Sequence, residues 1–455
     1  MSDEPRPKRF PRVVQIAAVL IIILISVIAW NLRTPANDPQ VQAIRNQGYP
    51  VTLAELDEWY RKIPDNENVA FFYTNVFAKI ALVSNAFDKI KNDSWAPKRG
   101  QPIAQEDKEE ISAVLATNRA MLEPLFLATN LTYSRYPIDL TQGFTVKLSH
   151  LTQVRDATRI VVTKGIMEAA DGKTDEAVRS FLAAGRLTCS ISQEPLLISQ
   201  LVDCANWGLI CRRLEWSLNA TMFSAEQLAH LQEMFAAAEN NSFYRGLVGE
   251  RASGYAVFTD PKSQTALLGL GGAFGPGEPE PDGKSQLRAQ LLFGVLKTTG
   301  FFKKDRAFYL GAMSNHIAIA KLPFPERFTV SQNSSFVPPS RFYVISGMML
   351  PALSKAATRD ATRAANLRVT ETALAIERYR RAKSNSVPDD LTQLVPAYLA
   401  AVPSDPFDGK PLRFKNRAEG YVVYSVGSDQ QDDEGTERDQ KKPSVHSDIT
   451  FILEH

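Results

Sequence analysis

The chain has 455 residues, room for about three domains of ordinary size, and its 44% hydrophobic, 22% charged and 9% aromatic residues are those of a folded globular protein. Lys and Arg number 52 against 50 Asp and Glu, leaving +2, so bulk charge gives no footprint for nucleic acid, and none is expected as a partner. Only 5 His and 3 Cys are scattered over this length, which argues against a multi-His metal centre, a zinc finger or a disulfide-dense scaffold.

The first strong pattern is VVQIAAVLIIILISVIAW, residues 13–30, which carries no charge and has only Gln15 and Ser26 as polar residues. At 1.5 Å per residue it spans roughly 27 Å, close to a bilayer core. Arg6, Lys8, Arg9 and Arg12 precede it and only Arg33 lies between it and Asp38, so the positive flank is expected to stay in the cytoplasm. This reads as a cytoplasmic tail at 1–12, a single transmembrane anchor at 13–30, a linker at 31–50 and an external remainder. Val27-Ile28-Ala29 also offers a signal-peptide cleavage site, but the apolar stretch is longer than the usual signal-peptide core, which favours an uncleaved anchor.

From 51 to 320 the pattern predicts a helical body. Thr52-Leu53-Ala54-Glu55 and Ser224-Ala225-Glu226-Gln227 read as capping boxes, in which a hydroxyl and an acid or amide satisfy two free N–H groups reciprocally. Apolar residues recur at helical spacing over 154–170, 174–192 and 196–218, with short breaks at Asp171-Gly172-Lys173 and Glu194-Pro195, which makes neighbouring helices antiparallel hairpins. The segment DGKTDEAVRSFLAAGRLT, 171–188, resembles the second helix of a tetratricopeptide unit, although no 34-residue period repeats it. Cys189, Cys204 and Cys211 all fall in helical sequence; the last two, seven apart, sit roughly 10 Å apart along a helix, beyond disulfide reach, and all three read as small buried apolar side chains.

Gly and Pro then break the pattern near 269–285, which reads as an exposed flexible loop. Gly277 and Gly283-Lys284-Ser285 miss the phosphate-loop spacing by one residue, and Pro279 and Pro281 remove N–H donors it would need. A second stretch, 321–354, holds Pro323, Pro325, Pro338 and Pro339 and reads as a linker. No HExxH or Gly-x-Ser-x-Gly motif accompanies the histidines. Glu250-Arg251, followed by Tyr255 and Phe258, is the one place where a buried carboxylate suggests itself, and no catalytic residue or organic cofactor is assigned.

The last hundred residues carry an ordered series of motifs. A helix over 359–383 has an apolar stripe of Leu367, Ala373, Leu374, Ile376 and Tyr379 and contains Leu374-Ala375-Ile376-Glu377-Arg378-Tyr379. Ser404-Asp405-Pro406-Phe407-Asp408-Gly409 follows, then a strand at 420–425 running into Tyr424-Ser425-Val426-Gly427-Ser428-Asp429, and a terminal strand at 449–453. In that order these resemble the soluble head of the major pseudopilin of the type II secretion system. The resemblance implies a small antiparallel-sheet head over 355–455, and hence a mainly α protein with a C-terminal α+β domain.

In that family the loop after Tyr-Ser-x-Gly-x-Asp binds calcium, so the resemblance implies a calcium site built from Asp429, Asp432, Asp433 and Asp448. Gln430 stands where the family often has Gly. The family's leader peptide and its apolar helix running directly into the head have no counterpart, since the apolar run lies far upstream and ISGMMLPALSKA keeps only a stub. Filament assembly through that helix is therefore not implied. The expected function is a membrane-anchored extracytoplasmic interaction or structural protein, linked to type II secretion or another envelope assembly. It would sit in a bacterial inner membrane with its body in the periplasm and protein partners not named by the sequence. The alternative is an envelope hydrolase with a site dispersed through the helical body.

Overall fold

The computed structural model describes residues 21, 38–77, 85–92, 95, 97–127, 133–264, 294–334, 336–437 and 447–454. The apolar run at 13–30, Ile21 apart, and the Gly- and Pro-rich loop at 269–285 lie outside them. Among the described residues no helix is long and apolar enough to cross a membrane.

Among the described residues the chain is mainly helical, with one small antiparallel sheet near its C-terminal end. The described helices are α1 (Pro39–Asn46), α2 (Leu53–Trp59), α3 (Val69–Phe77), α4 (Asn85–Asn92), α5 (Gln105–Thr117), α6 (Arg119–Leu127), α7 (Ser149–Ala170), α8 (Thr174–Cys189), α9 (Leu197–Ala220), α10 (Ala225–Ala238), α11 (Phe243–Thr259), α12 (Phe301–Ile319), α13 (Glu326–Asn333), α14 (Val344–Met349) and α15 (Pro351–Ala382). Both capping boxes form: the Thr52 hydroxyl accepts from Glu55 N–H at 3.2 Å and the Ser224 hydroxyl from Gln227 N–H at 3.2 Å, each answered by the reciprocal bond. Helices α7, α8 and α9 form the antiparallel hairpins that the short breaks require. All three cysteines are free thiols, with Cys211 buried and Cys189 and Cys204 half-buried.

The segment read as a linker, 321–354, carries α13 and α14, and α15 starts at Pro351 rather than near 359. Proline at the first helical position gives up an N–H that has no partner there in any case, so it opens the helix rather than preventing it. Helix α15 then packs along α9 and α10 before reaching the sheet. Among the described residues one large apolar core extends from Val41 to Leu453, with smaller clusters around Phe407 and around Val422 beside it.

Strands β1 (Arg413–Asn416), β2 (Tyr421–Ser425) and β3 (Ile449–Leu453) pair antiparallel in the order β1-β2-β3, with Val422 opposite Lys415 and Ile452. Strand β1 was not expected from the sequence. A free edge on β3 would leave backbone donors and acceptors open to another strand, but the end of α9 closes it. The Glu215 carboxylate accepts from Ile452 N–H at 3.0 Å, while Asn219 donates to Ile452 C=O at 2.9 Å and accepts from Glu454 N–H at 2.8 Å. Arg99 ties the same corner together, 2.8 Å from Glu215, 2.9 Å from Glu437 and 3.5 Å from Glu454.

Candidate functional site

The motif-bearing residues of the C-terminal region converge on one helix-and-sheet unit. Glu377 of α15 is buried against β2, where the Tyr421 hydroxyl donates to its carboxylate at 3.1 Å and is also 3.2 Å from Ala373 C=O. Arg380 holds the same carboxylate at 2.8 and 3.0 Å. This explains the acid within the Leu-Ala-x-Glu-x-Tyr stretch: it pins the long helix to the central strand.

Asp405 is the second pin. It is 0% exposed, and its carboxylate accepts from Phe407 N–H (3.0 Å), the Ser425 hydroxyl (2.9 Å), Val426 N–H (2.9 Å) and Arg413 (2.8 Å). Two motifs separated along the chain, Asp-Pro-Phe and Tyr-Ser-x-Gly, are thereby one object. Gly427 supplies the left-handed turn after β2, with φ +72°. Gln430 also stands at positive φ, 58°, a conformation that costs a side-chain-bearing residue; its side chain recovers part of that cost by donating to Phe407 C=O at 2.7 Å.

The four carboxylates expected to bind calcium do not share one task. Asp429 accepts from Gln431 N–H at 3.2 Å, shaping the turn. Asp432 accepts from the Tyr424 hydroxyl and from Glu434 N–H, both at 3.0 Å, and has Arg413 3.9 Å away. Asp448 is 4% exposed; one oxygen accepts from Gly435 N–H at 2.7 Å and the other, Oδ1, is buried without a partner. The Oδ2 atom of Asp433 is likewise buried and unpartnered. Burial, then the charges of Asp433 and Asp432, push the Asp448 carboxyl above the usual range. The loop thus brings Asp432 and Asp433 toward Asp448 and leaves Asp429 to local turn geometry. Among the described residues no three His, Cys, Asp or Glu side chains are grouped as a metal site.

One polar cluster in the body was not legible in the sequence. His150, on the first turn of α7, places Nε2 2.9 and 3.1 Å from the two carboxylate oxygens of Glu194, which is 0% exposed in the turn between α8 and α9. The Ser199 hydroxyl donates to the same carboxylate at 2.6 Å, and Tyr136 stacks on the His150 ring at 4.6 Å. A Ser-His-acid triad needs the imidazole between nucleophile and acid; here the acid lies between Ser199 and His150, so neither is activated as a nucleophile. Tyr136 also lines an open groove of about 480 Å³ with Asn68 and Arg135, but Arg135 is held by Asp57 at 2.7 Å and the Asn68 amide by Arg135 backbone at 2.8 and 2.9 Å. The cluster fixes the turn onto α7. Gly249 of α11 rides on that same turn, where a Cβ would lie 1.7 Å from Pro195 C=O.

Glu250 and Arg251 do not pair. Arg251, 1% exposed, donates to Pro50 C=O at 3.2 Å and approaches the Ser314 hydroxyl at 3.4 Å. Burial alone pushes the Glu250 carboxyl up to about 7, and burial is also the largest cause of the rise of Glu215 to about 7. At these two carboxyls the folded state binds more protons than the unfolded chain between about pH 4.5 and 7, so their contribution to stability falls as pH rises through that window, while His316, pushed down to about 4 by burial, contributes in the opposite direction below about pH 6.5. Glu250→Gln is expected to make the decline between pH 5 and pH 8 shallower by roughly 2–3 kcal/mol, with Glu215 keeping the remainder. Denaturant midpoints of wild type and variant that fall in parallel over that range would contradict this.

Against known proteins, the chain matches no family model, no curated protein and no solved structure.

Proposed function

We propose that this chain is a membrane-anchored extracytoplasmic interaction protein whose helical body carries a pseudopilin-like head, presented to a secretion or envelope assembly. The observation that supports this most is the joining of three separated motifs on one unit, with Glu377 binding Tyr421 and Asp405 binding Ser425 and Val426. Each acid performs a fold-specific task that composition alone does not demand. The apolar run at 13–30 and its basic flank support the anchor and its orientation. A photo-crosslinking residue at Asn416, exposed on the edge strand β1, should capture a component of such an assembly in intact cells. Recovery of the uncrosslinked chain alone would contradict the reading.

Calcium is part of the same proposal, with a narrower ligand set than the resemblance implies. Asp433 and Asp448 would hold the ion through their unpartnered oxygens, with backbone carbonyls of the loop completing an oxygen shell. Bound calcium would neutralise like charges on buried Asp448 and half-buried Asp433 and fix the loop against β3. Millimolar calcium is expected to raise the melting temperature of the full chain over that in chelator, by mass action on the folded state. Asp433→Asn with Asp448→Asn should abolish the increment, and an equal melting temperature with and without calcium in the wild type would refute the site.

A further inference from the structure

A face built from the start of α12 and the segment leading into α14 departs from the ordinary polar surface. Phe342 and Met348 are each 41% exposed and Val337 is 72% exposed. The rings of Phe301 and Phe342 meet at 4.8 Å, with Lys304 5.6 Å over the first and Arg341 5.3 Å over the second. Lys303, Lys304 and Arg341 are exposed, and the sequence holds no Asp or Glu from Arg327 to Arg359 or from Gly283 to Lys304. Asp305, which follows Lys304, is buried and turned inward, accepting from Ile345 N–H at 2.9 Å and Ser346 N–H at 3.2 Å to start α14. Aromatic and apolar tips ringed by cations are the composition of a surface that settles into the headgroup layer of an anionic bilayer.

The chain's own course brings this face to a membrane. Arg306, next to Asp305, binds Asp38 at 2.7 Å, and Gln40 donates to Ala307 C=O at 3.0 Å, so α1 begins against the helix that carries the face. From Trp30, the end of the apolar run, to Asp38 the chain can reach at most about 28 Å. We propose that the Phe301, Phe342 and Met348 face rests on the anionic lipid surface in which residues 13–30 are anchored, holding the body at a fixed orientation. This rests on the anchor reading above.

The test uses the full chain in vesicles, with an environment-sensitive fluorophore on a cysteine placed by Phe342→Cys or Met348→Cys, and on Glu176→Cys as an exposed control on α8. Burial raises the three native thiols far above their usual range, so they react slowly near neutral pH. In vesicles of phosphatidylethanolamine with phosphatidylglycerol, the fluorophores at 342 and 348 should shift to the blue and brighten while that at 176 keeps its solvent spectrum. The shift should be lost in the Lys303→Glu, Lys304→Glu, Arg341→Glu variant, whose exposed charges leave its fold intact by circular dichroism. Solvent-like spectra at 342 and 348 in a chain that floats with the vesicles would overturn the docking face and leave the anchor standing. A chain that does not float with the vesicles would overturn the anchor, and the face with it. A blue shift that follows protein density rather than lipid charge would assign the face to a second copy of the chain and overturn the lipid assignment.

Discussion

Asp405→Ala is expected to lower stability by about 3–5 kcal/mol, because it removes the acceptor for four donors at a site fully closed to water and leaves Arg413 with less of its counter-charge. Asp405→Asn keeps the shape but turns an N–H group toward donors, so it should recover only part of the loss. The effect should be local to the helix-and-sheet unit at first: the turn after β2 loses the Asp405 anchor of Ser425 and Val426, and amide exchange there should accelerate before helices α7 to α11 open. Denaturant unfolding with site-resolved hydrogen exchange checks both statements. An Asp405→Ala protein within 1 kcal/mol of wild type would mean that the Asp-Pro-Phe motif does not hold the sheet.

The second large effect lies where the long helix crosses the body. Arg363 of α15 and Asp203 of α9 meet at 2.5 Å with side chains 6% and 2% exposed, and Arg363 also donates to Ala238 C=O at 2.8 Å. Arg363→Ala is expected to cost about 3–5 kcal/mol, since Asp203 would be left as an unpaired charge in a site that cannot hydrate it. Arg363→Met combined with Asp203→Leu should regain most of that, because the desolvation of both charges disappears together and only the Ala238 carbonyl loses its partner. A double-mutant cycle on urea unfolding separates these terms. If the single and double variants lose equal stability, the cost belongs to packing and the pair contributes nothing.

Local signals in the sequence were the readable ones. The capping boxes at Thr52 and Ser224 and the strands at β2 and β3 are set by neighbouring residues, and each is found near where its pattern placed it. Strand β1 escaped because Arg-Phe-Lys-Asn has one apolar residue and no alternation; an edge strand that is half exposed needs neither. The prolines of 321–354 suggest a linker from sequence, whereas Pro325 immediately precedes α13 and Pro351 opens α15. The pairing of Arg363 with Asp203 and of His150 with Glu194 joins positions far apart in the chain, and no spacing rule connects them. The acidic loop was legible as a cluster, but only the fold divides it into turn-shaping Asp429, hydrogen-bonded Asp432 and the unpartnered oxygens of Asp433 and Asp448.

That a single apolar segment holds an external body and head is tested most directly by protease accessibility. Bacterial cells expressing the full chain with tags at both ends are converted to spheroplasts and treated with protease from outside. The C-terminal tag and the body beyond Leu32 should be digested while the tag ahead of Met1 survives until the membrane is opened. Full protection of the body in intact spheroplasts would contradict it.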